Sequence, residues 1–153
     1  RLLLVRLARA LDAGGLEPRL VDDVQPYVWA KLLANAAINP LTVLLGVPNG
    51  ALLRLPAAAE IVQRVAREVA AVAAAQGVAL PGDPVELVRA ACVATAHNRS
   101  SMLRDVELGR PTEIEAIAGA VVRLGRAAGV ATPTVELLRL AIQAREQVSV
   151  GRA

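Results

Sequence analysis

The sequence predicts an all-α protein, and three observations carry that prediction. Apolar residues recur at helical spacing over most of the 153 residues. Gly and Pro punctuate the periodic stretches where helices would stop and start. Only Pro18 to Val21 has the look of a strand, and no second segment is a convincing partner for it. A chain of this length is one domain, or one domain and a fragment, with room for a real core. Apolar residues make up 55% of it, with no Phe, one Trp and one Tyr, so the core must be built from Leu, Val, Ala and Ile.

Taken in order, Leu2 to Ala13 places Leu3, Leu7 and Leu11 on one face and stops at Gly14-Gly15. After Pro18 to Val21, the pair Asp22-Asp23 precedes a helix that carries Trp29 and Lys31. Asn39 precedes Pro40, and a residue before proline is pushed away from α geometry, so a break or kink is expected there. Pro48-Asn49-Gly50 reads as a turn. Pro56 opens a helix to about Gln76, with Ile61, Val65, Val69 and Val72 as its buried seam and Gly77 as its stop. Beyond the Pro81-Gly82-Asp83-Pro84 turn, one helix is expected from Val85 to about Arg104. Gly109-Arg110-Pro111 breaks the chain, and Thr112 with Glu115 has the spacing of a capping box. That helix runs to about Ala128, with Gly129 at its end. Thr132-Pro133 starts a last helix to about Gln147, followed by a polar tail.

Composition removes several function classes. The formal net charge is +3, but the basic residues are scattered among acidic ones, and Tyr27 and Trp29 alone make no base-stacking platform. Nucleic acid is therefore not an expected partner. A single Cys92 beside a single His97 gives neither a disulfide nor a metal constellation, so no metal is expected and Cys92 reads as packing. Leu32 to Leu53 is uncharged and long enough to span a bilayer, yet three Asn and two Pro interrupt it. Residues 1–15 make an amphipathic pattern with charges inside it, so a signal peptide is not expected there. The expectation is a soluble cytoplasmic protein with no membrane partner.

One feature of the residue usage points to a site. Lys31 is the only lysine among 17 basic residues, and Asn35, Asn39 and Asn49 are three of the four asparagines. The fourth, Asn98, lies beside Ser100 and Ser101, two of three serines. Lysine is the cation whose pKa moves readily and can therefore donate a proton, whereas guanidinium stays protonated. On a helix, Asn35 lies about 40° and Asn39 about 80° round from Lys31, which makes one polar stripe. Near the end of the helix expected from Val85 to about Arg104, Asn98, Ser101 and Asp105 fall within about 60° of one another, a second polar stripe. Against this, a lone Lys is usually a solvated tip, and Asn or Ser near a helix end is often a local cap. His97 and Arg104 read as surface.

Two separated motifs carry a resemblance. Lys31-Leu-Leu-Ala-Asn35-Ala-Ala-Ile-Asn39-Pro-Leu-Thr with Pro48-Asn49-Gly50 is the first. Asn98-Arg-Ser-Ser101-Met-Leu-Arg-Asp105, continuing through Gly109-Arg-Pro-Thr-Glu113-Ile-Glu-Ala-Ile-Ala-Gly to Thr132-Pro133, is the second. Both resemble the ketopantoate reductase (2-dehydropantoate 2-reductase) family over essentially the whole chain. The resemblance implies a multi-helix C-terminal domain of the 6-phosphogluconate-dehydrogenase-like type. It makes residues 1–22 the remnant, last helix and last strand, of an N-terminal Rossmann domain, and residues 23–153 the helical substrate domain. No GxGxxG follows a strand here, so NADPH would be bound mainly by that N-terminal domain.

The same resemblance implies roles. Lys31 would protonate the developing alkoxide of a 2-keto acid in the reduction of ketopantoate to pantoate, a step of pantothenate and coenzyme A biosynthesis. Asn35, Asn39 and Asn49 would surround the substrate, Ser101 would hold its carboxylate, and Asn98 would act there or as a hinge. Glu113 would contact the cofactor and assist Lys31. None of these positions is substituted. Two other readings stand beside this one: a helical packing or dimerisation module without activity, or a reductase of a different 2-keto acid. The partners implied are a small-molecule keto acid and the N-terminal Rossmann domain; a homodimer is left open.

Overall fold

The computed structural model describes residues 2–150, without the side chains of 149 and 150. Among the described residues it is all helical: α1 (Leu2–Ala13), α2 (Gln25–Leu45), a 3₁₀ turn (Asn49–Arg54), α3 (Pro56–Ala75), α4 (Pro84–Ala94), α5 (Ser101–Glu107), a π-helical turn (Glu115–Gly119), α6 (Ala120–Ala128) and α7 (Pro133–Val150). Arg1 and the tail 151–153 lie outside the described residues. Pro18 to Val21 forms no strand.

α2 runs through the middle, packed by α3, α4, α5 and α7. Its apolar composition follows from that position, and 56% of its most apolar 18-residue window is buried inside the fold. The core joins Leu33 of α2 to Leu52, to Val65, Val69 and Val72 of α3, and to Val88, Val121 and Ile142. Ile61, expected in the α3 seam, is only half-buried. Cys92 is fully buried, and burial pushes its thiol up to about 11, so it stays protonated and packs as a small apolar group.

Two expected features of the chain path are corrected. Of the break or kink expected at Asn39-Pro40, the break does not occur: α2 continues through Pro40 to Leu45 and stops at Gly46, in the left-handed region at φ 66°. An interior proline costs about 3 kcal/mol, but every residue from Ala36 to Val43 is buried, and that burial outweighs the lost hydrogen bond. Nor is there one helix from Val85 to Arg104. It breaks between Ala94 and Ser101, where the carbonyls of Ala96 and Asn98 accept the N–H groups of Gly50 and Asn49 at 3.1 and 3.0 Å. Ser100 then caps the restart, its Oγ accepting the Leu103 N–H at 3.0 Å.

The close seat of the 3₁₀ turn on this break explains Gly50. A Cβ there would lie 2.7 Å from the Ala96 Cβ and 2.8 Å from its Cα. Gly50→Ala is expected to lower the unfolding free energy by about 1–3 kcal/mol, read from the denaturant midpoint. An unchanged midpoint would mean that the loop yields freely.

The capping box at Thr112 is also corrected. Thr112 Oγ1 accepts the Ile114 N–H at 3.3 Å, but Glu115 turns away toward α7 and the Thr112 N–H is taken by Glu146 at 2.7 Å. The α7 start is fixed from α3, where the Glu68 carboxylate accepts the N–H groups of Thr134 and Val135 at 2.9 Å each.

α1 buries none of its residues. Leu3 is 76% exposed and Leu7 53%, while Leu11 also faces solvent. Arg19, whose guanidinium lies 5.7 Å from the Tyr27 ring centroid, ties the connecting segment to α2.

Candidate functional site

The site is assembled on α2. Lys31 is exposed, Asn35 half-buried and Asn39 5% exposed, so the polar stripe descends from solvent into the fold over about 12 Å of helix axis. Asp23 starts the helix by accepting the Gln25 N–H at 2.8 Å. One turn beyond Asn39 a pair of buried hydroxyls joins α2 to α5. Thr42 donates to the Asn39 carbonyl at 2.8 Å, which leaves the Ser100 hydroxyl to donate to Thr42 Oγ1 at 2.7 Å. Ser101, the next residue, begins α5 exposed to solvent. The hydroxyl pair therefore brings the Asn39 end of the stripe and Ser101 to the same region.

Asn49 and Asn98 meet through the backbone bond described above, and Asn49 Nδ2 donates to Thr95 Oγ1 at 2.9 Å. Thr95 in turn donates to the Ala91 carbonyl at 2.7 Å. The Asn49 Oδ1 is buried and has no partner, an arrangement that costs about 1–3 kcal/mol. Asn98 is exposed in the break, and so does not share a helix with Ser101 and Asp105 as the periodicity suggested. Asp105 pairs with Arg110 at 2.8 Å. Glu113 is exposed, just ahead of the π-turn that packs against α2. No hydrogen bond or ion pair joins it to Lys31.

Among the described residues, the side chains of Lys31, Asn35, Asn39, Asn98, Ser101 and Glu113 make no hydrogen bond or ion pair with another protein group. Acidic and basic residues elsewhere pair readily, as Glu60 with Arg64 and Glu86 with Arg89 do. Lys31 is left uncommitted at the head of an amide stripe, an arrangement able to present one cation and several neutral hydrogen-bond donors to a small polar molecule. Sequence reasoning missed Thr42, Thr95 and Ser100, which hold the parts together. Ser100 had a signal in the helix-poor run His97-Asn98-Arg99-Ser100-Ser101, which fits an N-cap better than a helix interior. The described residues contain no cluster of metal-ligating side chains.

This helix order around a buried central α2 defines the class: the helical C-terminal domain of ketopantoate-reductase-like structures. The chain belongs to the ketopantoate reductase PanE/ApbA C-terminal family, whose model matches residues 23–146. It is similar to the 2-dehydropantoate 2-reductase of Pyrobaculum aerophilum, 49% identical over 142 residues, which covers 93% of this chain and 51% of that protein. The crystal structure of a PanE/ApbA family ketopantoate reductase from Ralstonia eutropha JMP134 superposes with a TM-score of 0.87 at 31% identity, over 95% of this chain and 49% of the other. A D-mandelate dehydrogenase solved with NADH and anilino(oxo)acetate matches with a TM-score of 0.86 at 29% identity, over 94% of this chain and 61% of the other. The chain spans about half the length of the curated relatives it matches.

Proposed function

We propose that this chain is the substrate-binding and proton-donating domain of a soluble, cytoplasmic NADPH-dependent 2-dehydropantoate 2-reductase. Residues 1–22 belong with an N-terminal Rossmann domain, and residues 23–153 form the helical domain. The exposed leucines of α1 support that division, because an amphipathic helix with no buried residue lacks the surface it was built to cover. The observation that carries the activity is Lys31, exposed and unpaired at the head of the Asn35 and Asn39 stripe.

The residues present fit one end of a dinucleotide. Glu113, an exposed carboxylate with no partner, can accept hydrogen bonds from ribose hydroxyls. The pyrophosphate finds no strand and glycine-rich turn among the described residues. Bound through the Rossmann domain, the cofactor supplies hydride. The chain's own residues do the rest: the Lys31 ammonium faces the keto oxygen as negative charge builds on it and gives up a proton there. Ser101, Asn35, Asn39 and Asn98 bind the carboxylate and hydroxyl groups as neutral donors, which leaves the lysine charge for the reacting oxygen. By the same reading Asn49 is a further amide of the substrate site; its Oδ1 is buried and without a partner.

The likeness to the D-mandelate dehydrogenase favours a second reading, an NADH-dependent reductase of a bulkier 2-oxo acid. A panel of 2-oxo acids with NADPH and NADH on the full-length reductase separates the two: the first predicts the highest kcat/KM for ketopantoate with NADPH. In the same enzyme Ser101→Ala and Asn35→Ala are expected to raise the keto-acid KM about tenfold with kcat near wild type, since they hold groups whose charge changes little during reaction. A fall in kcat at constant KM would move them into the chemistry.

A further inference from the structure

We infer that one face of α7, carrying Arg139, Gln143 and Glu146, positions Glu113 by holding the chain on either side of it. The inference rests on the cofactor-contacting role given to Glu113 above. The three residues follow one another at i, i+4 and i+7, so they line a single stripe of the helix. Ahead of Glu113, Glu146 Oε1 accepts the Thr112 N–H at 2.7 Å. Behind it, Arg139 Nη1 and Gln143 Nε2 donate to Glu115 Oε1 at 2.7 and 2.8 Å. Arg123 approaches the other Glu115 oxygen at 3.7 Å. The Ile114 side chain is 2% exposed, and the Glu113 carbonyl accepts the Ile117 N–H at 3.0 Å. The chain is thus held on both sides of Glu113, while its carboxylate makes no hydrogen bond or ion pair among the described residues.

An ordinary helix start would not need this arrangement. In a capping box Glu115 would reach back to the Thr112 N–H. Here a carboxylate 34 positions further on performs that task, and Glu115 is turned out to α7. The turn that follows is π-helical, a wider turn that re-aims the side chains on either side of it. Gly119 makes room for the bend, since a Cβ there would run into the Glu115 carboxylate. Arg139 meets Glu115 through Nη1, while its buried Nε has no partner.

The test uses the full-length reductase, with NADPH affinity from fluorescence titration, steady-state kinetics and thermal midpoints. Glu146→Ala is expected to weaken NADPH binding and raise its KM about three- to tenfold, with the keto-acid KM nearly unchanged. Glu146→Gln keeps an oxygen for the Thr112 N–H and restores both values. Gln143→Met, which keeps the volume, shifts them in the same direction as Glu146→Ala and serves if that variant folds poorly. In a Glu113→Ala background, Glu146→Ala adds nothing further, because its effect passes through the missing carboxylate. Multiplying effects, or a lowered thermal midpoint with unchanged NADPH affinity, would overturn the positioning role. Unchanged NADPH binding in Glu113→Ala alone would overturn the role of Glu113 itself, and the positioning with it.

Discussion

Lys31→Ala in the full-length reductase is expected to lower kcat about 10²- to 10³-fold while the keto-acid KM moves little. The expectation follows from when the contact matters. A ground-state carbonyl oxygen carries only a partial charge, so the ammonium stabilises it weakly. As the carbon is reduced, the oxygen gains a full negative charge and then needs a proton, and a contact that strengthens only at that stage raises turnover rather than binding. The side chain is free to act in this way because it is exposed and spends its charge on no acidic neighbour. Lys31→Arg is not expected to rescue, since guanidinium keeps the charge but is a poor proton donor at neutral pH. Near-normal kcat in Lys31→Ala would put the chemistry on another residue.

The second large effect is a complete loss. Residues 1–153 alone are expected to reduce no 2-oxo acid at any dinucleotide concentration. A pyrophosphate is held by backbone N–H groups of a glycine-rich turn and by the N-terminus of the helix that follows a strand. The sequence has no such motif, and the described residues contain no strand. An exposed Glu113 offers one or two hydrogen bonds to a ribose, too few to offset the ordering of a whole dinucleotide. Activity of the purified chain in a standard nicotinamide absorbance assay would contradict this.

Much of the helix order was legible because its signals are local. Gly77 and Gly129 end helices as read, and Pro56 and Pro133 begin them. What was not legible depends on partners far away in sequence. Pro40 looked like a break because the cost of an interior proline is a local quantity, whereas the burial of Ala36 to Val43 that overrides it is tertiary. The interruption before α5 holds no Gly or Pro; Ser100 stabilises it through a hydroxyl 58 positions back, at Thr42, and no periodicity reports such a pair. Glu115 fitted a local capping template but found Arg139 and Gln143 instead.

The candidate site divides along the same line. The stripe of Lys31, Asn35 and Asn39 needs only helical geometry, and α2 supplies it. The grouping of Asn98 with Ser101 on one helix was an extrapolation of period across a break, although the loop does bring Asn98 to Asn49 and Ser101 to the Asn39 end of α2. The state of Asn49, with one amide atom on Thr95 and the other buried without a partner, is visible only in three dimensions.

The central claim is that Lys31 faces the reacting oxygen while the amide and hydroxyl groups hold the rest of the substrate. The most direct measurement is a crystal structure of the full-length reductase with an oxidised nicotinamide cofactor and a 2-oxo acid. The account predicts the keto oxygen about 2.7–3.1 Å from the Lys31 Nζ, with the substrate carboxylate at Ser101 and the Asn98 segment. A keto oxygen bound elsewhere, with the Lys31 ammonium still directed to solvent, would contradict it.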